Sequence, residues 1–436
     1  MTVNRFTSRT TWAVAVGAMA LVGACGDTLK VASPSRIDAA SLESPSNAQL
    51  LLSGAIADFE CAFGAYTVAG GLIGDELLDA TQTADRYPYD QRTMTSASTR
   101  YATSSCTALG TYSPLQTARV SADNIRRLLE GWTDGQVADR QTLLATAAAY
   151  EGYSQLLIGE GFCGAVFSHF NTDKTIAYGT PITPQQALDS AITQFTEAIT
   201  AATAAGASAA NIKTMALVGR ARAKLDKGDL AGARADAIQV PANFEFDVTA
   251  STVNSRRNNR VWADNGLGGG GSINSGSSVG PLYRSLGDPR VPVTNTGKTA
   301  GGTGVPIWVQ TKYTGAASPI RLATGDEAQL IVAEADIKNN SANTVTIIDA
   351  FRAKSGGSET PYVGATDSTS LISAIITERR RSLFLESQHL GDLLRYNLPL
   401  NPAAGTAFPG GGVYGSQRCM PLPDVEILNN PNVPHS

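Results

Sequence analysis

The chain has 436 residues, 42% of them hydrophobic and only 17% charged, with a formal net charge of −4. That length buries one large core or two smaller ones. The charge balance excludes electrostatic capture of nucleic acid, and the charged fraction falls below the ~25% usual in soluble proteins.

The beginning of the chain reads as an export signal. Arg5 and Arg9 precede an apolar run over 11–22, too short to span a bilayer comfortably. The run ends in Leu21-Val22-Gly23-Ala24-Cys25, where small residues before a Cys resemble a lipobox. Residues 1–24 are therefore expected to be a lipoprotein signal peptide and Cys25 the lipidated N-terminus. Gly26 follows Cys25, not the Asp of the enterobacterial inner-membrane retention rule, so the expected address is the outer membrane, with a lipid anchor facing the cell surface. Residues 25–45 are polar, contain Pro34 and Pro45, and read as a flexible tether. Four further cysteines, Cys61, Cys106, Cys163 and Cys419, fit no zinc spacing. In an oxidising compartment they allow two disulfides with three connectivities, of which Cys61–Cys106 with Cys163–Cys419 pairs neighbours in sequence first.

The part over 46–240 is helical. A first helix over 46–63 has Ser46 as a cap and Leu50, Leu51, Ile56, Ala57 and Phe59 toward the core. After Asp75 comes a polar loop over 81–98 holding Arg86-Tyr87-Pro88-Tyr89-Asp90. Aromatic rings beside polar groups suit sugars, whose C–H faces stack on them; the same tyrosines can simply pin a loop. Periodic apolar residues then give helices over 113–131, 136–158, 183–199, 210–226 and 229–239. The third opens on Thr183-Pro184, with Pro at the first helical position. Gly219, Ala221 and Ala223, then the turn Asp226-Lys227-Gly228-Asp229 and Ala231, put small residues where two helices cross. This resembles tetratricopeptide (TPR) units, without their strict repeat of about 34 residues. Residues 241–310 change to Gly- and Ser-rich sequence carrying Trp262, Tyr283 and Trp308. An insertion of this length on a helical scaffold is usually functional.

Helices return over 311–436, from Gly325 and again over 345–351. The most informative stretch is 371–397. Ile372, Ile376, Arg379, Leu383 and Glu386 alternate in steps of four and three, which is one helix face. Two charges thus share an apolar stripe, about two turns or ~10 Å apart, and each needs a buried partner. Asp392, Arg395, Glu334 and Arg352 are the candidates. The expected role of Arg379, Glu386, Asp392 and Arg395 is structural.

The same stretch resembles the C-terminal signature of the SusD/RagB family of lipid-anchored, glycan-binding outer-membrane proteins, with Ser387 standing where that family usually has Gly. Further segments are similar to the family in the same order. They are Asp288-Pro289-Arg290 with Lys312-Tyr313; Arg321-Leu322-Ala323 before Ala333-Glu334-Ala335; Ile348, Phe351 and Arg352; and Met420-Pro421-Leu422-Pro423 with Glu426 and Asn429. The resemblance implies a mainly α, SusD-like fold in which four TPR-like helix pairs support a loop-rich ligand-binding face. It also implies a non-enzymatic protein without cofactors, which binds a glycan or peptide nutrient and passes it to a TonB-dependent SusC-type transporter. By region and chemistry, Asp75, Arg86, Tyr87, Tyr89, Trp262, Tyr283 and Trp308 are the expected ligand residues. The alternative is a lipid-anchored TPR-like scaffold that binds polypeptides in envelope assembly.

Three motif matches carry no chemistry. Gly276-Ser277-Ser278-Val279-Gly280 has the spacing of a nucleophile elbow but lies in a low-complexity loop. Gly297-Lys298-Thr299 lacks the first Gly of a phosphate loop. Gly266-Leu267-Gly268-Gly269-Gly270-Gly271 stands in no βαβ unit. His169, His389 and His435 are too scattered for a metal site, and nothing marks two carboxylates as a glycosidase pair.

Overall fold

Helix α1 (Ala48–Ile73) runs ten residues beyond the end expected from periodicity, because Cys61 to Ile73 are buried on every side. A helix apolar all round belongs inside a core. Its length and composition would also suit a membrane, yet 78% of its most apolar window is covered by the rest of the protein. Its cap position is Asn47, not Ser46. The computed structural model describes residues 42–98, 100–268 and 273–434, of which Pro45 onward belong to one compact unit. The expected signal sequence, Cys25 and most of the tether lie outside the described residues.

After α1 come the short strand β1 (Leu77–Asp79) and the short helix α2 (Tyr87–Gln91). Then α3 (Tyr112–Gly131) packs on α4 (Arg140–Gly161). Two small ladders follow, β2 (Ala165–Val166) with β5 (Pro181–Ile182) and β3 (His169–Phe170) with β4 (Ile176–Ala177), together forming one hairpin. Next, α5 (Pro184–Ala205) packs on α6 (Ala210–Asp226). Thr183 starts α5 with a capping box: its Oγ1 accepts from the Gln186 backbone N–H, and the Gln186 Oε1 accepts from the Thr183 N–H at 2.9 Å. Where α6 crosses α5, a Cβ on Gly219 would overlap the Phe195 ring, so only Gly allows that approach.

The third pair is split. Helix α7 (Leu230–Ala237) packs on a helix whose sequence begins only at Gly325, with residues 238–324 looped out between them. The loop-out is closed at its base by an antiparallel ladder, β6 (Glu245–Val248) with the last strand of the insertion, Ile320–Thr324. Within the insertion lie the short helix α8 (Arg260–Asn265) and the strands β7 (Gly266–Leu267), β8 (Ile273–Ser275), β9 (Ser277–Val279), β10 (Val293–Thr299) and β11 (Pro306–Gln310), followed by the closing strand β12 (Ile320–Thr324). Helix α9 (Gly325–Asp336) completes the third pair, and α10 (Ser341–Arg352) with α11 (Ser368–Ser382) forms the fourth. Successive pairs pack on each other through α4 on α5, α6 on α7 and α9 on α10, as short connections require.

The stripe expected through 386 does not form. Helix α11 stops at Ser382, and Leu385 and Ser387 turn back with φ of 55° and 64° before α12 (His389–Arg395). The buried face is Leu371, Ala374, Ile375, Glu378 and Arg379, the first three packing on Ala333, Ile337 and Ile348; Ile372 and Ile376 are only half-buried. Arg379 nonetheless has its partner: its Nε donates to both Asp392 oxygens at 2.9 Å. Arg395 donates to Asp392 at 2.9 Å, to Glu334 at 3.0 Å and to Asp226 at 2.7 Å, joining α12 to α9 and α6. Glu386 pairs with none of the expected residues. Its partner is Lys312, at 2.6 Å, whose Nζ also donates to the Phe384 carbonyl. Arg352 instead meets Glu378 at 3.2 Å. The cysteines pair as Cys61–Cys106 and Cys163–Cys419, with Cα separations of 5.7 and 5.2 Å. The last helix, α13 (Asp424–Asn429), lies in the tail.

Candidate ligand-binding face

Two regions distant in sequence, the loop after α1 and the insertion, meet because β1 pairs antiparallel with β9, Leu77 opposite Val279 and Asp79 opposite Ser277. Asp75 turns the chain out of α1 with φ of 67°. The opposing Gly280 comes so close that a Cβ there would overlap the Asp75 carbonyl oxygen. Asp264 of α8 then receives the Arg86 guanidinium as an ion pair, while Arg86 Nη1 donates to Thr83 Oγ1 at 2.7 Å. Arg86 is thus a clasp between the two regions.

The expected ligand residues divide accordingly. Asp75, Tyr89 and Tyr283 are corrections: they are only 2, 1 and 0% exposed. The Tyr89 hydroxyl donates to the Leu109 carbonyl at 2.7 Å, and Tyr283 stacks on Phe384 with ring centroids 5.0 Å apart. Both tyrosines pin loops to the core and offer no face to a ligand. Asp75 sits 3.5 Å from the His389 Nε2. Burial there pushes the neighbouring Glu76 carboxyl up to about 7. His389, although desolvation works against its charge, is held above its usual value by Asp75 and Glu76.

Tyr87, Trp262 and Trp308 remain at the surface, Tyr87 exposed and the two indoles half-buried. Trp262 is fixed at the start of α8, its backbone N–H capped by Asn259 Oδ1 at 2.8 Å and its Nε1 donating to the Leu267 carbonyl at 3.0 Å. Trp308 is held in β11 by its backbone N–H to Ser278 Oγ at 2.9 Å and its carbonyl to Asn265 Nδ2 at 3.0 Å. Ser278, the would-be nucleophile of the elbow pattern, is therefore a buried brace whose own hydroxyl donates to the Pro306 carbonyl. Among the described residues no cluster of His, Cys, Asp and Glu is arranged to hold a metal.

Trp308 lines a cleft of about 560 Å³ with Leu286, Pro289, Val291, Pro292 and Asp288. A cleft lined by an indole, prolines and aliphatic side chains with one carboxylate has the polarity of a ligand cleft. Its floor is rigid. Arg290 donates to Asp288 at 2.6 Å, to Glu359 at 2.8 Å and to Glu378 at 2.8 Å, and Arg381 pairs with Glu359. Burial works against the Asp288 charge, but the Arg290 hydrogen bonds hold its carboxyl below the usual range. The cleft residues around 286–293 were not among the expected ligand residues. The only signal for them in the sequence is Asp288-Pro289-Arg290, a resemblance motif and not a binding motif.

The structure is a helical-repeat scaffold whose insertion and first loop meet beside the Trp308 cleft. No protein-family model and no curated protein matches the sequence. The fold is similar to a SusD-like carbohydrate binding protein from Bacteroides vulgatus ATCC 8482, with a TM-score of 0.68 and 16% identity over 89% of this chain and 97% of that one. It is similar to a SusD superfamily protein from Bacteroides thetaiotaomicron VPI-5482, with a TM-score of 0.68 and 14% identity over 90% and 99%. A laminarin-binding SusD-like protein is similar with a TM-score of 0.66 and 16% identity over 90% and 98%. The chain has the mainly α, SusD-like fold.

Proposed function

We propose that the protein is a non-enzymatic, SusD-type binding lipoprotein that captures a glycan on its loop face. Cys25 carries the lipid, the tether gives reach, and a TonB-dependent SusC-type barrel in the outer membrane receives the ligand. The observation that carries the reading is the Trp308 cleft on a SusD-like scaffold. Structural neighbours described as carbohydrate- or laminarin-binding support the ligand class. A half-buried indole is suited to stacking on a sugar face. The test is a calorimetric titration of soluble glycans, laminarin and its oligosaccharides first, against the protein and against Trp308→Ala. Loss of at least about tenfold in affinity is expected, the scale of an aromatic anchor. Undiminished binding by Trp308→Ala refutes the cleft. The partner is tested by gentle-detergent isolation of the lipidated protein: a stoichiometric TonB-dependent barrel is expected, and recovery with periplasmic assembly factors instead favours the polypeptide-binding scaffold. Labelled palmitate should enter the native chain and not Cys25→Ala.

A further inference from the structure

A second cleft, of about 310 Å³, opens far from the loop face in sequence, between the first half of α3, the β3–β4 hairpin and α13. Its rim is apolar and exposed: Phe170 and Ile176, cross-strand partners on the hairpin, are 43 and 47% exposed, and Val425 of α13 is 48% exposed. Its walls are built, not incidental. Gln116 Nε2 donates to the Val166 carbonyl at 2.9 Å, and Arg119 donates to the Ser168 carbonyl, so α3 holds the hairpin base. Asn430 Nδ2 donates to the Gly179 carbonyl at 3.1 Å and Asn432 Nδ2 to the Tyr178 carbonyl at 2.7 Å, so the tail holds its other side. The Cys163–Cys419 crosslink staples the two walls where both begin.

Two charged side chains line this cleft without meeting. Arg119 is 4% exposed; among the described residues its hydrogen-bond acceptors are Gln116 Oε1, at 2.8 Å, and the Ser168 carbonyl, while its guanidinium lies 5.0 Å from the Phe167 ring centre. Among the described residues no carboxylate stands within ion-pair range of it. The acidic residues nearby, Asp123 and Glu151, are taken by Arg126 and Arg127. Glu426 accepts from the Tyr112 hydroxyl at 3.0 Å and from Asn430 Nδ2 at 3.0 Å, and each of its oxygens keeps a free lone pair. A buried cation and a carboxylate facing one cavity favour a group that accepts from the first and donates to the second. A hydroxyl does both with one atom; a carboxylate has no proton to give and an ammonium no lone pair to offer. The exposed Phe170 ring beside them supplies a face for a sugar's C–H surface.

We propose that this cleft is a second carbohydrate site, in which a sugar ring lies against Phe170 and Ile176 while its hydroxyls bridge Arg119 and Glu426. The site rests on the glycan reading of the protein but is separate from the Trp308 cleft, so one chain would grip a long ligand at two places or two ligands at once.

The experiment follows the Ile176 δ1 methyl and the Trp308 indole N–H by NMR in the folded full chain, each reporting one cleft. The probes are laminarihexaose, maltohexaose, xylohexaose and the blocked dipeptide N-acetyl-Ala-Ala-amide. A saturable shift of the Ile176 methyl by a hexasaccharide is expected. Phe170→Ala, an exposed change that spares the core, should weaken it roughly tenfold. Glu426→Gln, which keeps the shape, should weaken it as well. The Trp308 titration should stay within about twofold of wild type in both variants. An Ile176 methyl that no sugar moves, that moves equally in Phe170→Ala, or that the dipeptide moves as strongly overturns the proposal. A sugar that moves only the Trp308 signal overturns the second site and leaves the proposed function standing. One that moves only the Ile176 methyl supports the second site and refutes the Trp308 cleft, and silence at both refutes both.

Discussion

Replacing Arg379 by Ala tests whether the C-terminal charge network holds the fold or serves a ligand. Arg379 and Asp392 are each about 2% exposed at the side chain, and the guanidinium Nε is shared between both carboxylate oxygens at 2.9 Å. Although burial raises the carboxyl, Arg379 and Arg395 hold Asp392 below the usual carboxylate range. Breaking a buried pair by removing one partner costs about 3–5 kcal/mol, because the survivor stays desolvated. Here Asp392 keeps Arg395 at 2.9 Å, so the expected loss is at the low end, about 3 kcal/mol, plus the packing of the lost side chain. The assay is urea unfolding followed by circular dichroism and tryptophan fluorescence with the disulfides intact. The control is Arg256→Ala, which breaks the 2.6 Å pair to Asp58 at an exposed position, where side-chain exposures are 48 and 23%. That variant should change stability by less than about 1 kcal/mol. If Arg379→Ala falls within about 1 kcal/mol of wild type while glycan binding is lost, the structural reasoning is wrong and Arg379 belongs to a site.

Ser387 adopts φ of 64° and buries a hydroxyl that has no hydrogen-bond partner among the described residues; Ser387→Gly should therefore raise stability by about 1 kcal/mol, and an unchanged or lower melting temperature would refute the strain. Cys163→Ser with Cys419→Ser, opening a link between residues 256 apart, should cost about 2–5 kcal/mol; four reactive thiols in denatured, unreduced wild-type protein would show that neither disulfide exists. Burial raises Glu76 and Glu327 to about 7 and Asp90 to about 8. Between their unfolded values, near 4, and these values the folded chain holds protons that the unfolded chain releases, so stability falls as pH rises through that interval. The raised His389 acts in the same sense, its contribution being lost as pH rises through its folded value. One such carboxyl is worth on the order of 3 kcal/mol. Asp392 and Asp288, both lowered, contribute above the usual carboxylate range and lose that contribution only as pH falls through their folded values. Melting temperature should peak near about pH 5 and fall toward pH 8, and a curve that rises over that range would contradict the buried, protonated carboxyls.

The helices from 113 to 240 were legible because each repeats its apolar residues at helical spacing and several carry explicit starts, Thr183-Pro184 being the clearest. Helix α1 was read short because it is buried all round in its second half, and a helix without a polar face has no periodicity to follow. The stripe from 372 to 386 failed for a related reason. Spacing alone does not say where a helix ends, and the turn at Leu385 and Ser387 depends on backbone conformations no apolar pattern records. Tyr89 and Tyr283 were misplaced because tyrosine has an apolar ring and a polar tip, which serve a loop anchor as well as a ligand contact. What decides between them is tertiary: the Tyr89 hydroxyl reaches the Leu109 carbonyl and the Tyr283 ring reaches Phe384, contacts that no local pattern announces. Lys312 stands in a segment that only the family resemblance marks, and nothing local to it announces Glu386 as its partner.

One group of buried charges lies along the seam between the insertion and the fourth helix pair. The insertion contributes Asp288, Arg290 and Lys312; the fourth helix pair and the turn after it contribute Glu378, Arg381 and Glu386. Buried pairs add little net stability over apolar residues of the same shape. Their geometric demand is different: bidentate and multiply bonded guanidinium groups accept one relative placement and few others. The insertion is also tied to the rest of the chain by the β6–β12 and β1–β9 ladders and by the Arg86–Asp264 pair. Replacing Arg290 and Glu378 together by Met and Leu leaves Asp288 and Glu359 with Arg381 alone and Arg352 without Glu378, so stability should fall by about 3 kcal/mol or more, and ligand selectivity at the adjoining Trp308 cleft should loosen with it. A double variant that melts several degrees lower yet binds with unchanged selectivity would show the seam to be a support for folding alone.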